Sequence, residues 1–256
     1  MLYSISFSPT GGTEKVAGIL ADYIQDALAE EKVSVDLVDK DFTGHSLLIR
    51  RKDIAVIALP SYGGRVPAVA ASRIRKISGN GAKAVVIAVY GNRAYEDTLL
   101  ELTDVACDSG FRVVAAVAAV AEHSIVREIA QGRPDEEDKE DLRKIADRIL
   151  EKLDRRDDSR PDIPGNHPYK PFHGIALGTY AEDHCIHCGN CAFACPVGAI
   201  PIETPDAPSG GSCISCMRCV QVCPVEARKA PAETVEAIRR KIGPACRDRK
   251  GCEIYL

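Results

Sequence analysis

The chain contains no tryptophan, only two methionines, and few aromatic residues of any kind, 5% in all. Stacking on a flat ligand would therefore fall to Tyr or Phe. A dominant charge is also missing. The formal net charge of -4 is small and mixed, and no basic stripe with interleaved aromatics is present, so a nucleic-acid partner is not expected. Long hydrophobic runs are absent too. The most apolar stretch, Val113 to Ala121, is nine residues, against the roughly 20 that a bilayer helix needs, so no membrane span is expected. Met1 to Phe7 has no basic flank and runs straight into a Gly-rich turn, which is unlike a signal peptide. A cytoplasmic location is the expectation. What remains is 256 residues, 45% hydrophobic and 27% charged, enough for two compact domains with real cores.

Cysteine is the exception to this ordinary composition. There are 11, eight of them between Cys185 and Cys223. An odd, clustered set without a secretion signal is unlike a disulfide framework and points to metal. The eight form two copies of one motif, Cys-x2-Cys-x2-Cys-x3-Cys-Pro, offset by 28 residues and beginning at Cys185 and Cys213. Zinc sites also use Cys-x2-Cys pairs, but those pairs are usually well separated. Two uninterrupted quartets suit an iron–sulfur cubane, in which thiolates converge on a small inorganic core. His184 and His187 flank the first quartet and read as solvent-facing loop residues. Cys107 reads as a buried helical residue, and Cys246 and Cys252 as spare thiols.

The first 154 residues alternate short apolar runs with helix-period stretches. The runs fall at Leu2–Phe7, Val33–Val38, Ile54–Leu59, Ala84–Val89 and Val113–Ala121. Five buried strands alternating with helices predict an α/β, doubly wound parallel sheet. Ser8-Pro9-Thr10-Gly11-Gly12-Thr13 lies between the first strand and a helix for which Thr13 is the expected N-cap. Backbone N–H groups and the positive end of a helix dipole there suit a phosphate. The Walker spacing is absent. Gly79-Asn80-Gly81-Ala82-Lys83-Ala84 follows a helix and precedes a strand, the reverse of a dinucleotide site. Residues 155–178 carry Pro161, Pro164, Pro168 and Pro171 and read as a linker, with Tyr169 and Phe172 lying against something.

On these motifs the chain resembles flavodoxin–ferredoxin fusion proteins, with the linker the least matched part. The resemblance to two-cluster ferredoxins implies crossed ligation of two [4Fe–4S] clusters. Cys185, Cys188, Cys191 and Cys223 would hold one, and Cys213, Cys216, Cys219 and Cys195 the other. The resemblance to flavodoxins implies FMN, bound by Ser8, Thr10, Gly11, Gly12 and Thr13 at the phosphate and by two loops at the flavin ring. Those loops are Pro60-Ser61-Tyr62-Gly63-Gly64, which would offer a backbone carbonyl to the flavin N5–H, and Tyr90-Gly91-Asn92-Arg93-Ala94-Tyr95. The expected division is 1–154 for the flavodoxin-like domain, 155–178 for the linker, and 179–256 for the ferredoxin-like α+β domain with its tail.

The implied activity is electron transfer, relaying single electrons among FMN, the clusters and an external redox partner such as a ferredoxin or reductase. The alternative is a flavin-dependent reductase of a small-molecule substrate fed through the clusters, with His123, Arg65 and Arg93 on the substrate side. His123, at the end of the fifth strand, is the candidate proton donor. The tail, 228–256, has eight Lys or Arg against four Asp or Glu. It would either steer an acidic partner or simply cover its own domain.

Overall fold

The computed structural model describes residues 1–44, 47–172, 174 and 177–256. A six-stranded sheet is built from β1 (Leu2–Ser6), β2 (Lys32–Asp36), β3 (Ile54–Pro60), β4 (Lys83–Tyr90), β5 (Arg112–Val120) and, far along the chain, β8 (Glu253–Tyr255). Its order is β2-β1-β3-β4-β5-β8. The first five strands are parallel, and 2-1-3-4-5 is the flavodoxin-like winding. The strands are apolar on both faces because helices cover both. On one face α2 (Ala68–Ile74) and α3 (Thr98–Asp108) bury Ala70, Ile74, Leu99 and Leu102. On the other, α1 (Gly12–Leu28) and α4 (Glu136–Asp154) bury Val16, Leu20, Ile24, Leu142, Ile145 and Ile149. No described helix is long and apolar enough to cross a membrane.

Two expectations are corrected. Thr13 is not the N-cap of α1. The helix begins at Gly12 with Gly11 as cap at φ +89°, and the Ser8 hydroxyl accepts the Glu14 N–H at 2.8 Å. Glycine is required at that left-handed position. The sheet gains a sixth strand, because β8 pairs antiparallel with β5 through Ala116–Tyr255, Val117–Ile254 and Ala118–Glu253. The end of the chain thus joins the first domain rather than the second. Its physical reason is the otherwise open β5 edge, whose N–H and C=O groups β8 satisfies.

Residues 155–172 lie against the first domain, in line with the expectation for Tyr169 and Phe172. Asp97 accepts from the Asn166 N–H at 2.9 Å and the Lys170 N–H at 2.6 Å. Asp104 pairs with Arg160, His167 and Tyr169. Proline-rich chain is thereby tied down as a strap along α3.

The cysteine-rich unit is small. α5 (Asn190–Phe193) and α6 (Arg218–Gln221) each follow a Cys-x2-Cys turn, and β6 (Tyr180–Ala181) pairs antiparallel with β7 (Arg228–Lys229). After it, α7 (Ala232–Ile242) and a 3-10 turn (Gly243–Cys246) lead back to β8. Arg73 on α2 donates to the Pro196 carbonyl at 2.7 Å, and Arg218 on α6 to the Pro9 carbonyl at 3.2 Å. These bonds join the unit to the first domain on two sides.

Candidate functional site

The eight quartet cysteines surround two cavities of equal volume. One is lined by Cys185, Cys188, Cys191 and Cys223, the other by Cys195, Cys213, Cys216 and Cys219. The fourth cysteine of each run thus stands with the other run's first three, because the short helix before it, α5 or α6, carries the chain across to the neighbouring cavity. None of the 11 cysteines is in a disulfide. Among the described residues no group of three or more His, Cys, Asp or Glu converges on a single ion position. Zinc needs such convergence, with Zn–S near about 2.3 Å. A larger core with several bonding corners fits the spread.

The donor chemistry agrees. Burial pushes the Cys216 thiol up to about 12, and burial raises Cys219 as well. Four thiolates in such surroundings require a strongly cationic group bonded to them. Among the described residues only two buried side-chain polar atoms lack a partner, Ser209 Oγ and Arg218 Nε. Both residues line the second cavity.

A much larger cavity, about 690 Å³, lies at the carboxyl ends of the strands. Thr10, Gly12 and Thr13 line it from the phosphate loop, Pro60 to Gly64 from the loop after β3, and Tyr90, Gly91 and Arg93 from the loop after β4. His123 lines it after β5. The N–H groups of Gly12 and Thr13 meet no acceptor among the described residues, and nothing lies within 4 Å of the Cβ position at Gly11. An anion fits there. Ser61 and Tyr62 are followed by Gly63 (φ +60°) and Gly64 (φ +84°), closed by paired Tyr62–Arg65 backbone bonds. Only a primed turn of this kind holds two successive positive φ angles, hence the two glycines.

Four expected flavin contacts do not line this cavity: Ser8, Gly11, Asn92 and Tyr95. Ser8 and Gly11 instead form the start of α1. Asn92 is buried and holds the chain end, donating to the Cys246 and Asp248 carbonyls at 2.9 Å each and accepting from the Lys250 N–H. The Tyr95 hydroxyl bonds Glu253 and Tyr255. Arg65 is likewise removed from the substrate side, because Glu101 holds it with two bonds of 2.7 and 2.9 Å.

Other lining residues were not foreseen. Lys170 and Phe172 come from the strap, Ile214 and Ser215 from the second cysteine loop, and Ile238, Lys241 and Ile242 from α7. The ring of Phe172 lies where a Cβ at Gly63 would be. The apolar pair Ile238 and Ile242, one turn apart on an otherwise polar helix, was the available signal.

Residues 184–227 match the family described as "4Fe-4S dicluster domain". The chain joins a flavodoxin-like fold to a 4Fe–4S dicluster domain. Solved structures overlay the flavodoxin-like part. A Streptococcus pneumoniae TIGR4 flavodoxin is 23% identical, covering 59% of this chain and 99% of its own, with TM-score 0.40. Flavodoxin 1 from Bacillus cereus is 18% identical over 59% of this chain and 97% of its own, TM-score 0.40. Rubredoxin oxygen:oxidoreductase from Desulfovibrio gigas is 14% identical over 60% and 36%, TM-score 0.41. The strand order, rather than these overlays, carries the fold assignment. A comparison with curated proteins returns no match.

In the flavodoxin-like part, His123 Nδ1 accepts the N–H groups of Ile125 and Val126 at 3.2 and 3.1 Å. Its proton therefore sits on Nε2. Burial, helped by the Arg93 charge, lowers its pKa to about 4. Near neutral pH the His123 ring is therefore neutral, with its N–H at Nε2. Burial pushes the Tyr62 phenol well above its ordinary value, and the thiolates of Cys216 and Cys213 add to the shift. Tyr62 lines the large cavity, close enough to Cys213 and Cys216 to feel their charge.

Proposed function

We propose that this protein is an electron carrier that binds one FMN and two [4Fe–4S] clusters and exchanges single electrons with an external redox protein. Bound FMN supplies one- or two-electron chemistry and each cubane one-electron chemistry. One observation carries the reading: Ile214 and Ser215 line both the large cavity and the second cysteine cavity. A flavin and a cluster held there would share one wall of protein, with Tyr62 beside it. Thr10, Gly12 and Thr13 would take the phosphate, and the loops after β3 and β4 the ring. The quartets would ligate in the crossed arrangement of the two cavities. The 11 free thiols favour a reducing compartment such as the cytoplasm. Anaerobic purification followed by metal, sulfide and flavin assays tests this directly. The expected content is about eight iron, about eight sulfide and one FMN per chain, from two full quartets and one phosphate loop. Zinc in place of iron, or FAD in place of FMN, would overturn the corresponding half.

A second reading, reduction of a small substrate at the flavin, has one observation in its favour. The cavity extends past the three loops to α7, where Lys241 faces it without an ion-pair partner among the described residues. Steady-state turnover of a small anionic oxidant, lost in Lys241→Ala, would favour this reading. Oxidation by protein acceptors alone would remove it.

A further inference from the structure

The two cysteine cavities match in size and ligand number, yet their surroundings differ. In the second, Cys195, Cys216 and Cys219 are buried. The Ala199 N–H donates to Cys195 Sγ at 3.2 Å and the Ser215 N–H to Cys213 Sγ at 3.4 Å. The Thr179 hydroxyl lies 3.5 Å from Cys219 Sγ. To these are added the two unpartnered buried atoms, Ser209 Oγ and Arg218 Nε. Arg218 is held in place from its far side, by the bond from Nη1 to the Pro9 carbonyl.

The cysteines of the first cavity are the more exposed. Cys188 is exposed, and Cys185 and Cys223 are half-buried. Among the described residues no side-chain hydroxyl or guanidinium donates to its four sulfurs. Arg228 lines it, but its nitrogens bond the oxygens of Thr179, Pro205 and Ala207. With those nitrogens taken up by oxygen, none of them donates to a sulfur among the described residues. Carboxylates flank the first cavity instead: half-buried Glu182 and exposed Asp183 just before Cys185, and exposed Glu226 just after Cys223.

Reduction of a cluster adds one electron and one negative charge. Donors to sulfur and nearby positive charge favour that form, while burial without them opposes it. Burial alone would make the second site the harder to reduce. A guanidinium and a hydroxyl inside the same dry wall act far more strongly than charges across water, and they reverse the order. Among the described residues neither of the two donors has an acceptor.

We propose that Arg218 and Ser209 donate hydrogen bonds into the second cluster and hold its reduction potential above that of the first. An electron delivered at the exposed first cluster then settles on the side of the large cavity. The inference rests on the two-cluster reading, which iron analysis checks separately; zinc-loaded protein would end both.

The test is an EPR-monitored redox titration of the anaerobically prepared full chain, with dithionite as reductant. Wild-type protein should show two separate one-electron steps, the higher being the one that Cys195→Ser perturbs. Ser209→Ala and Arg218→Gln should each lower that step alone, and Arg218→Lys should restore most of the loss. The expected size is at least a tenfold change in how the electron divides between the clusters, about 59 mV for a one-electron couple. Arg218→Gln also breaks the bond to Pro9, so Ser209→Ala, which leaves that bond intact, decides if Arg218→Gln fails to load. A single unresolved step in the wild type would overturn the inference. So would loaded variants that shift the lower step or neither.

Discussion

The His123 imidazole is fixed by two backbone N–H groups on one nitrogen and by burial around the ring. Its folded pKa of about 4 lies below the unfolded value near 6.5, so folding favours the neutral ring. His123 therefore imposes no penalty above pH 6.5, and stability is lost as pH falls from there toward 4. In flavin-free protein, His123→Gln should lose less stability than wild type across that window. The difference should grow to at most about 3 kcal/mol, measured by urea unfolding at pH 7 and pH 4.5. Equal losses would show that the ring is not buried as neutral. At the same scale, Cys195→Ala should damage the cluster associated with Cys213, Cys216 and Cys219, although Cys195 belongs to the first run. An EPR change confined to the other cluster would contradict the crossed arrangement. The quartets were legible because ligand chemistry fixes residue type and spacing together. Ser209 and Arg218 left no such mark, since a lone serine or arginine has many ordinary uses.

At the level of elements, α7 and β8 show where reading along the chain stops. The tail's charge was plain, but its destination was not. It depends on Asn92 and Tyr95, more than a hundred residues earlier, and neither has a pattern that points forward. Asn92 takes a left-handed conformation (φ +58°), which asparagine tolerates better than most residues, and its amide gathers the turn at Cys246 to Lys250. Asn92→Ala would leave two part-buried carbonyls and one N–H without this partner. The expected cost is about 1–2 kcal/mol by chemical denaturation, with faster proteolysis at 243–252. An unchanged midpoint and cleavage pattern would mean that the tail is held by β8 alone. α7 itself buries no residue. It is pinned by the Arg239–Glu128 ion pair and by the contacts of Ile238 and Ile242 at the cavity. Arg239→Glu would place like charges together and lift the helix. FMN should then dissociate several-fold faster in a fluorescence release assay, whereas pure partner steering by the tail predicts no change in release.

Across the whole molecule, the five parallel strands and their helices followed from periodicity, since both faces of the sheet are covered and each run is continuously apolar. The meeting of the two halves did not. It is made by backbone carbonyls at Pro9 and Pro196, accepting from Arg218 and Arg73, and carbonyls carry no sequence signature. The proline-rich strap lies against the first domain as Tyr169 and Phe172 suggested, but its partners Asp97 and Asp104 carried no mark in the sequence. Its ties to Asp97 and Asp104 hold Phe172 against the Gly63 turn.

The late strand β8 has one more consequence. Between β5 and β8 lies the entire cysteine-rich unit, so that unit is a loop tied at both ends to one edge of the flavodoxin-like sheet. Any distortion of the loop that pulled β8 away would bare the N–H and C=O groups of β5, and a bare edge is a template for strands of other chains.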